Sequence, residues 1–152
     1  MTGGASGSSA TTITGTLVNP TNSQQTATYT VTPTSTLCGS NATFTVTVTV
    51  NPTSAITAMT AISCEGVLFT VSPVNGTNGI VPSGTLYSWS APSVTGGMTG
   101  GGTGSNAASI TGNLLNPTNS QQTATYTVTP VSGSCTGAVS YTHLTLPTKR
   151  IV

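Results

Sequence analysis

Residues 43–50 read Thr-Phe-Thr-Val-Thr-Val-Thr-Val, a strict alternation of threonine with apolar side chains. Successive side chains of a β-strand point to opposite faces, so this stretch predicts a strand with one apolar and one hydroxylated face. Seven further candidate strands are bounded by clusters of Pro, Gly, Asn or Ser, and they span residues 11–18, 26–32, 66–72, 84–90, 107–115, 123–129 and 138–146. None of them has a sustained helical period, and the sequence therefore predicts an all-β chain.

The composition excludes several classes of function. Charged residues make up 2% of the 152 positions and are limited to Glu65, Lys149 and Arg150, while Thr occurs 35 times and Ser 19 times. A near-neutral, hydroxyl-rich surface lacks the basic footprint of a nucleic-acid-binding protein. It also lacks the carboxylate clusters of calcium sites and the paired acids of glycosidases. The alternating apolar residues and the net charge of +1 favour a folded chain over a disordered one.

An internal repeat is the most informative feature of the chain. Residues 13–33 (ITGTLVNPTNSQQTATYTVTP) recur at 110–130 (ITGNLLNPTNSQQTATYTVTP), with 19 of 21 positions identical at an offset of 97. A period near 100 residues suits a small β-sandwich module and is too long for helical solenoid repeats. The repeated Asn-Pro-Thr-Asn-Ser is typical of a turn between two strands.

The repeat predicts the domain organisation. At the offset of 97, Met1 falls on Met98, so Met1 is interpreted as an internal residue of an earlier repeat, and the missing signal peptide as a result of truncation. Residues 1–50 are then the C-terminal half of a truncated repeat, and residues 51–139 are a nearly complete one. An incomplete sandwich leaves edges unpaired and an apolar face uncovered, so we expect the first half to be marginally stable or prone to associate. Residues 96–106, which are rich in Gly, are predicted to form a flexible surface loop.

Residues 140–152 are interpreted as a non-native tail. They resemble a translated sequencing-adaptor read-through of the kind found at the ends of reading frames assembled from environmental DNA. At the offset of 97, Leu144 and Leu146 fall out of phase with Val48 and Val50. A one-residue slip would turn every side chain of the strand to the wrong face. The alternative is a divergent last strand.

The positions of the three cysteines can be interpreted from the repeat. Cys38 and Cys135 occupy the same position in the two repeats, and Cys64 is an early cysteine of the complete repeat. The sequence predicts a Cys64–Cys135 disulfide, with Cys38 left unpaired, and hence an oxidising, exported setting. Three free buried thiols in a cytosolic protein are the alternative, and a zinc site is disfavoured because no Cys-x-x-Cys spacing is present.

No catalytic constellation is recognisable. General acid–base chemistry needs titratable groups, and Glu65 and His143 are the only ordinary candidates. We therefore expect a non-enzyme with no cofactor and no metal. The alternation over 84–90 places Tyr87 and Trp89 on one face, where they could stack on a ligand such as a carbohydrate; the favoured interpretation is that Trp89 packs in the sandwich core across the predicted disulfide.

Several motifs of the complete repeat, taken in order, carry a family resemblance: Cys64-Glu65-Gly66 with Phe69, Val81-Pro82-Ser83-Gly84-Thr85-Leu86-Tyr87-Ser88-Trp89, Leu115-Asn116-Pro117-Thr118, Ala124-Thr125-Tyr126-Thr127-Val128-Thr129-Pro130 and Gly133-Ser134-Cys135. This order resembles PKD-like (polycystic-kidney-disease-like) repeats of bacterial surface and adhesin proteins, which are immunoglobulin-type β-sandwiches. The acidic residues that follow the Trp in better-known PKD domains are absent, because Ser90-Ala91-Pro92 follows Trp89.

The resemblance implies an antiparallel Ig/PKD-like β-sandwich without catalytic residues, exported to the cell surface. The implied role is that of a spacer or adhesive module within a tandem array. Its expected partners are neighbouring repeats of the same polypeptide, with surface glycans or proteins as further candidates and with no nucleic acid or membrane insertion. Two alternative functions are a carbohydrate-binding module that uses Tyr87 and Trp89, and an Ig-like decoration domain of a phage structural protein.

Overall fold

The computed structural model describes residues 1–37, 39–40 and 42–147. Residue contacts divide the chain into two compact units, Met1–Pro52 (unit 1) and Thr53–Val152 (unit 2). The prediction of an unpaired Cys38 concerns a residue that lies outside the described ones.

Unit 1 is built from short antiparallel strand pairs. Its strands are β1 (Thr2–Gly3), β2 (Leu17–Val18), β3 (Gln25–Val31), β4 (Thr34–Ser35), β5 (Gly39–Ser40) and β6 (Phe44–Val50). β1 pairs with β2, β4 pairs with β5, and β3 forms a seven-residue ladder with β6. The β3–β6 hairpin places Ala27 and Tyr29 opposite Val48 and Val46 on one face and pairs threonine with threonine on the other.

Unit 1 has no buried core among its described residues. Side chains on the apolar face of β3–β6 are half-buried or exposed, with Val48 at 37% exposure and Phe44 at 49%. Alternation of Thr with Val is sufficient to form the hairpin, but a two-stranded sheet cannot enclose its own apolar face.

Unit 2 contains twelve strands in its described residues. They are β7 (Ala55–Ile56), β8 (Met59–Ile62), β9 (Leu68–Val71), β10 (Gly79–Ile80), β11 (Leu86–Trp89), β12 (Ser93–Val94), β13 (Thr99–Gly100), β14 (Gly104–Ala107), β15 (Ile110–Leu115), β16 (Gln122–Ser132), β17 (Cys135–Thr136) and β18 (Ser140–Leu146).

Two sheets of unit 2 pack against each other as a β-sandwich. One sheet has the strand order β14-β11-β16-β18-β8, with β12 and β17 also paired to β16, and the other has the order β13-β15-β9. Buried side chains from both sheets, together with one from the segment before β13, form a single core: Phe69, Val71, Tyr87, Trp89, Met98, Ile110, Leu114, Ala124, Tyr126, Val128, Leu144 and Leu146. This architecture confirms the predicted all-β sandwich.

The first and last strands of the larger sheet in chain order, β8 and β18, are parallel neighbours. β8 pairs with β18 in the register Met59 with Thr142 to Ile62 with Thr145, whereas the other ladders of this sheet are antiparallel. The ladder extends past β8, because Ser63 N–H donates to the Thr145 carbonyl at 3.2 Å. β8 was not among the predicted strands, since a four-residue segment with a weak apolar alternation carries little signal of its own.

Two further sequence predictions were wrong. Residues 96–106, predicted to be a flexible loop, contain β13 and most of β14. These two strands form because they pair with β15 and β11, and a Gly-rich sequence gives no local signal of such pairing. The predicted phase conflict at Leu144 and Leu146 does not arise. Both residues belong to β18 and are fully buried in the core.

Candidate functional site

The two aromatic side chains singled out in the sequence, Tyr87 and Trp89, are core residues of unit 2. They share one face of β11 as predicted, with exposures of 2% and 8%. Trp89 Nε1–H donates to the Gly102 carbonyl at 3.2 Å, and Gly104 lies so close to the indole that no side chain would fit there. The hypothesis of a ligand-stacking platform is therefore wrong for this fold, since neither ring offers an exposed face to a carbohydrate.

Cys64 and Cys135 are free thiols at opposite ends of the larger sheet. Cys64 follows Ser63, whose N–H is bonded to Thr145 in β18, and Thr145 lies opposite Thr123 in β16. Cys135 lies opposite Ser132, nine positions further along the same strand (132 − 123 = 9). Nine residues of a strand span about 30 Å, whereas a disulfide needs Cα atoms within about 7 Å. The predicted Cys64–Cys135 disulfide is accordingly absent, and the strand arrangement does not permit it.

Tyr126 is the central side chain of the core. Its ring is fully buried and meets Phe69 edge-on, with ring centroids 5.6 Å apart, so the two sheets are joined by an aromatic pair. The Tyr126 hydroxyl has no hydrogen-bond partner within the described structure. Burial disfavours the phenolate and raises the pKa of Tyr126 to about 12, and it also raises the pKa of Tyr87.

His143 and Glu65, the two titratable residues singled out in the sequence, lie in different parts of unit 2. His143 Nδ1 lies 3.0 Å from Thr125 Oγ1 on the face of β16 and β18 away from the core, and Glu65 belongs to the turn before β9. Within the described residues, no three His, Cys, Asp or Glu side chains come together in a way that could hold a metal ion.

The candidate interaction site lies in unit 1, on the apolar face of its hairpin. A groove of about 410 Å³ is lined by the start of the chain, β2 and β3: Met1, Gly3, Gly4, Ala5, Ser6, Leu17, Ala27, Thr28, Tyr29 and Thr30. Tyr29 and Leu17, two of its bulkiest side chains, are half-buried. The chemistry of the groove is neutral, because its lining residues are apolar, glycine or hydroxyl-bearing and none of them carries a charged side chain.

The groove corresponds to a filled part of the core in unit 2. At the offset of 97, Leu17 and Tyr29 become Leu114 and Tyr126, which are 1% and 0% exposed. β1 and β2 pair in the same register as β13 and β15, with Gly3 opposite Leu17 and Gly100 opposite Leu114. The repeat predicts an uncovered apolar face in residues 1–50, but it does not by itself place the groove between the start of the chain, β2 and β3.

Comparison with known proteins identifies the family. The family model of the PKD-like domain matches residues 1–54 and 64–147, which is most of the chain and includes both copies of the repeat. The chain belongs to the PKD-like domain family. Comparisons with curated proteins and with solved structures gave no match.

Membership of the PKD-like domain family agrees with the resemblance found in the sequence and with the observed sandwich. PKD-like domains are β-sandwich modules that are typically non-catalytic and generally extracellular. The described part of this PKD-like chain has no helix long and apolar enough to cross a membrane. The matched residues include those of β18, Ser140–Leu146.

Proposed function

We propose that this PKD-like chain is a non-catalytic, extracellular β-sandwich repeat that serves as a spacer or adhesive module of a large bacterial cell-surface protein. Two near-identical segments 97 residues apart, both within the family match, support an origin in a tandem array. The observation that carries the spacer role is the parallel pairing of β8 with β18 in unit 2.

Parallel terminal strands suit a module that bears tension. In an array, force enters unit 2 at β7, whose ladder with β10 has only two residue pairs, and then reaches β8; it leaves through the chain after β18. Because the two strands are parallel, that force shears their ladder, and all its hydrogen bonds are loaded together rather than one after another. Four residue pairs and the additional bond from Ser63 to Thr145 form this ladder.

Single-molecule pulling of the full chain between two marker domains tests the spacer role. We expect unit 2 to unfold in one rupture that releases residues 59–146, a lengthening of about 300 Å at about 3.4 Å per residue. The rupture force should exceed that of a marker domain whose terminal strands unzip.

Two proline variants of adjacent residues provide the matched control. Alternate residues of a parallel strand direct their N–H groups to the same neighbour, and Ser63 N–H points to β18, so Ala61 N–H does as well, while Thr60 N–H faces the free edge. Ala61→Pro should lower the rupture force, and Thr60→Pro should leave it nearly unchanged, because proline is tolerated where the N–H of an edge strand is free. Equal forces in the two variants, or an unfolding force no higher than that of the unzipping marker, would contradict the spacer role.

A further inference from the structure

The region of unit 2 that is equivalent to the groove of unit 1 has a covering strand that unit 1 lacks among its described residues. In unit 2, β9 pairs with residues Ile110–Asn113 of β15 and places the Phe69 ring over the core. The equivalent residues of unit 1, 13–16, form no strand, and β2 begins only at Leu17.

Gly112 of unit 2 and Gly15 of unit 1 occupy the same repeat position, and their surroundings show that unit 1 lacks a covering ring. A Cβ atom on Gly112 would lie 2.9 Å from the Phe69 ring, so the ring rests directly on this glycine. A Cβ atom on Gly15 would find only the Tyr29 hydroxyl at 3.7 Å and the Gly4 Cα at 3.8 Å. The space that holds an aromatic ring in unit 2 is therefore open in unit 1, and it is bordered by the same Tyr and Leu.

The long hairpin of unit 1 also has a free edge at the equivalent place. In unit 2, β16 pairs on one side with β18 and on the other with β11, with Trp89 opposite Val128 and Leu86 opposite Val131. In unit 1, β3 pairs with β6 alone among the described strands. Unit 1 thus has two open positions. One is the ring site, which Phe69 of β9 fills in unit 2, and the other is the free edge of β3, whose equivalent in unit 2 pairs with β11.

We propose that unit 1 is a docking site for the β9–β11 segment of a neighbouring PKD-like repeat, a segment with the sequence pattern of residues 64–90 of this chain. Strand pairing supplies the backbone hydrogen bonds, and a phenylalanine equivalent to Phe69 occupies the open space beside Gly15 and the Tyr29 hydroxyl, at the border of the groove. This is recognition by β-strand addition, in which the strand edge contributes affinity and the aromatic pocket contributes specificity. The docking surface is an addition to the proposed spacer role and does not depend on it.

A labelled peptide tests this docking on the full chain. The probe consists of residues 64–90 with Cys64 replaced by Ser and with two lysines added at its N-terminus for solubility, and binding is followed by fluorescence anisotropy. Saturable binding is expected. A peptide with Phe69→Ala should bind at least about tenfold more weakly, because removing a buried ring from a site costs more than the 1.4 kcal/mol of one decade in Kd.

Two Gly→Val variants of the chain test the ring site, one that fills it and one that serves as the control. Gly15→Val fills the ring site from within, and the open space around Gly15 means that unit 1 tolerates the new side chain. Gly7→Val is its control, because a Cβ on Gly7 meets no atom within 4 Å, whereas a Cβ on Gly15 meets Tyr29 and Gly4, two residues that line the groove. Gly15→Val should weaken peptide binding at least about tenfold, and Gly7→Val should leave it unchanged.

Three results would overturn the proposal. The first is no peptide binding to the full chain, and the second is equal binding by Gly15→Val and the unaltered chain. The third is that the chain sediments as a dimer, that Gly15→Val disrupts this dimer, and that the peptide does not bind. In that case the occupant of the site would be a second copy of unit 1. The pulling experiment reports on the β8–β18 ladder of unit 2, so its failure is distinguishable from each of these results.

Discussion

Leu144 of β18 lies directly opposite Ala124 of β16, as Val48 lies opposite Ala27 in the hairpin of unit 1. The uniform offset of 97 would have matched Leu144 with Thr47 instead. The register has shifted by one residue because the connection between the paired segments is one residue shorter in unit 2, 129–139 against 32–43. A slip in sequence phase and a shift in register therefore cancel, and the apolar residues face the core in both copies.

Leu144→Ala should destabilise unit 2 by about 2–5 kcal/mol, because it removes a fully buried side chain from a strand that pairs on both sides. Urea unfolding followed by the fluorescence of Trp89, the only tryptophan in the chain, measures the change. Tyr141→Ala is the control on the same strand, since Tyr141 is 53% exposed, and should cost less than about 1 kcal/mol. Similar losses for the two variants would contradict the observed register.

Tyr126→Phe should stabilise unit 2 by about 1 kcal/mol at neutral pH. The Tyr126 hydroxyl is buried without a partner, and removing an unsatisfied polar group recovers its desolvation cost while the ring contact with Phe69 is kept. Thermal and urea unfolding measure the gain, with Tyr141→Phe as an exposed control that should change nothing. A loss of stability in Tyr126→Phe would show that the hydroxyl has a partner in solution.

Alkaline pH should destabilise unit 2 through the same residue. The folded-state pKa of Tyr126, about 12, lies above the ordinary tyrosine value of 10.0, so the folded state holds its proton more tightly than the unfolded state does. Stability is then complete below pH 10 and falls as the pH rises from 10 towards 12, by an amount on the order of 2 kcal/mol. The pKa of Tyr87, which burial also raises, adds to this loss of stability. Urea unfolding across this range should show a shallower decline for Tyr126→Phe, and an unchanged slope would exclude Tyr126 as its source.

Reducing agent should leave the melting temperature of unit 2 unchanged, because Cys64 and Cys135 are free thiols at opposite ends of its larger sheet. Cys64 is exposed, so a thiol reagent should modify it in the folded protein, and Cys64→Ser should shift stability by less than about 0.5 kcal/mol. Calorimetry with and without dithiothreitol makes the comparison. A drop in melting temperature on reduction, absent in Cys64→Ser, would show that Cys64 is bridged in solution.

Asn116→Ala should cost about 2 kcal/mol, because the fully buried side chain of Asn116 holds the turn before β16 together. Its amide donates to the Ser120 carbonyl at 2.9 Å, and its Oδ1 accepts from Thr118 N–H at 3.0 Å. Urea unfolding measures the loss. Asn119→Ala in the same turn removes an exposed side chain and should be neutral, so equal effects would argue against the role of the buried amide.

Local pattern predicted the fold class and most of the long strands, and the repeat predicted that the chain holds related segments 97 residues apart. Alternation and turn residues act over a few positions, so β3, β6, β16 and the turn at Asn116 were visible in the sequence. The candidate site was less visible. Tyr87 and Trp89 shared a face as predicted, but only their burial excluded ligand stacking, and the groove beside Tyr29 required knowledge of which strand covers Tyr126.

The sequence by itself determined that this chain forms β-strands with one apolar face, that it carries almost no charge, and that it belongs with PKD-like repeats. Only the tertiary structure decided the register of β18, the parallel pairing of β8, the separation of Cys64 from Cys135, and the contact of Phe69 with Tyr126. The physical reason is that alternation specifies which face of a strand is apolar but not which strand lies beside or above it. Those neighbours are chosen by packing among residues far apart in the chain, where a connection one residue shorter is enough to change the partner of every side chain.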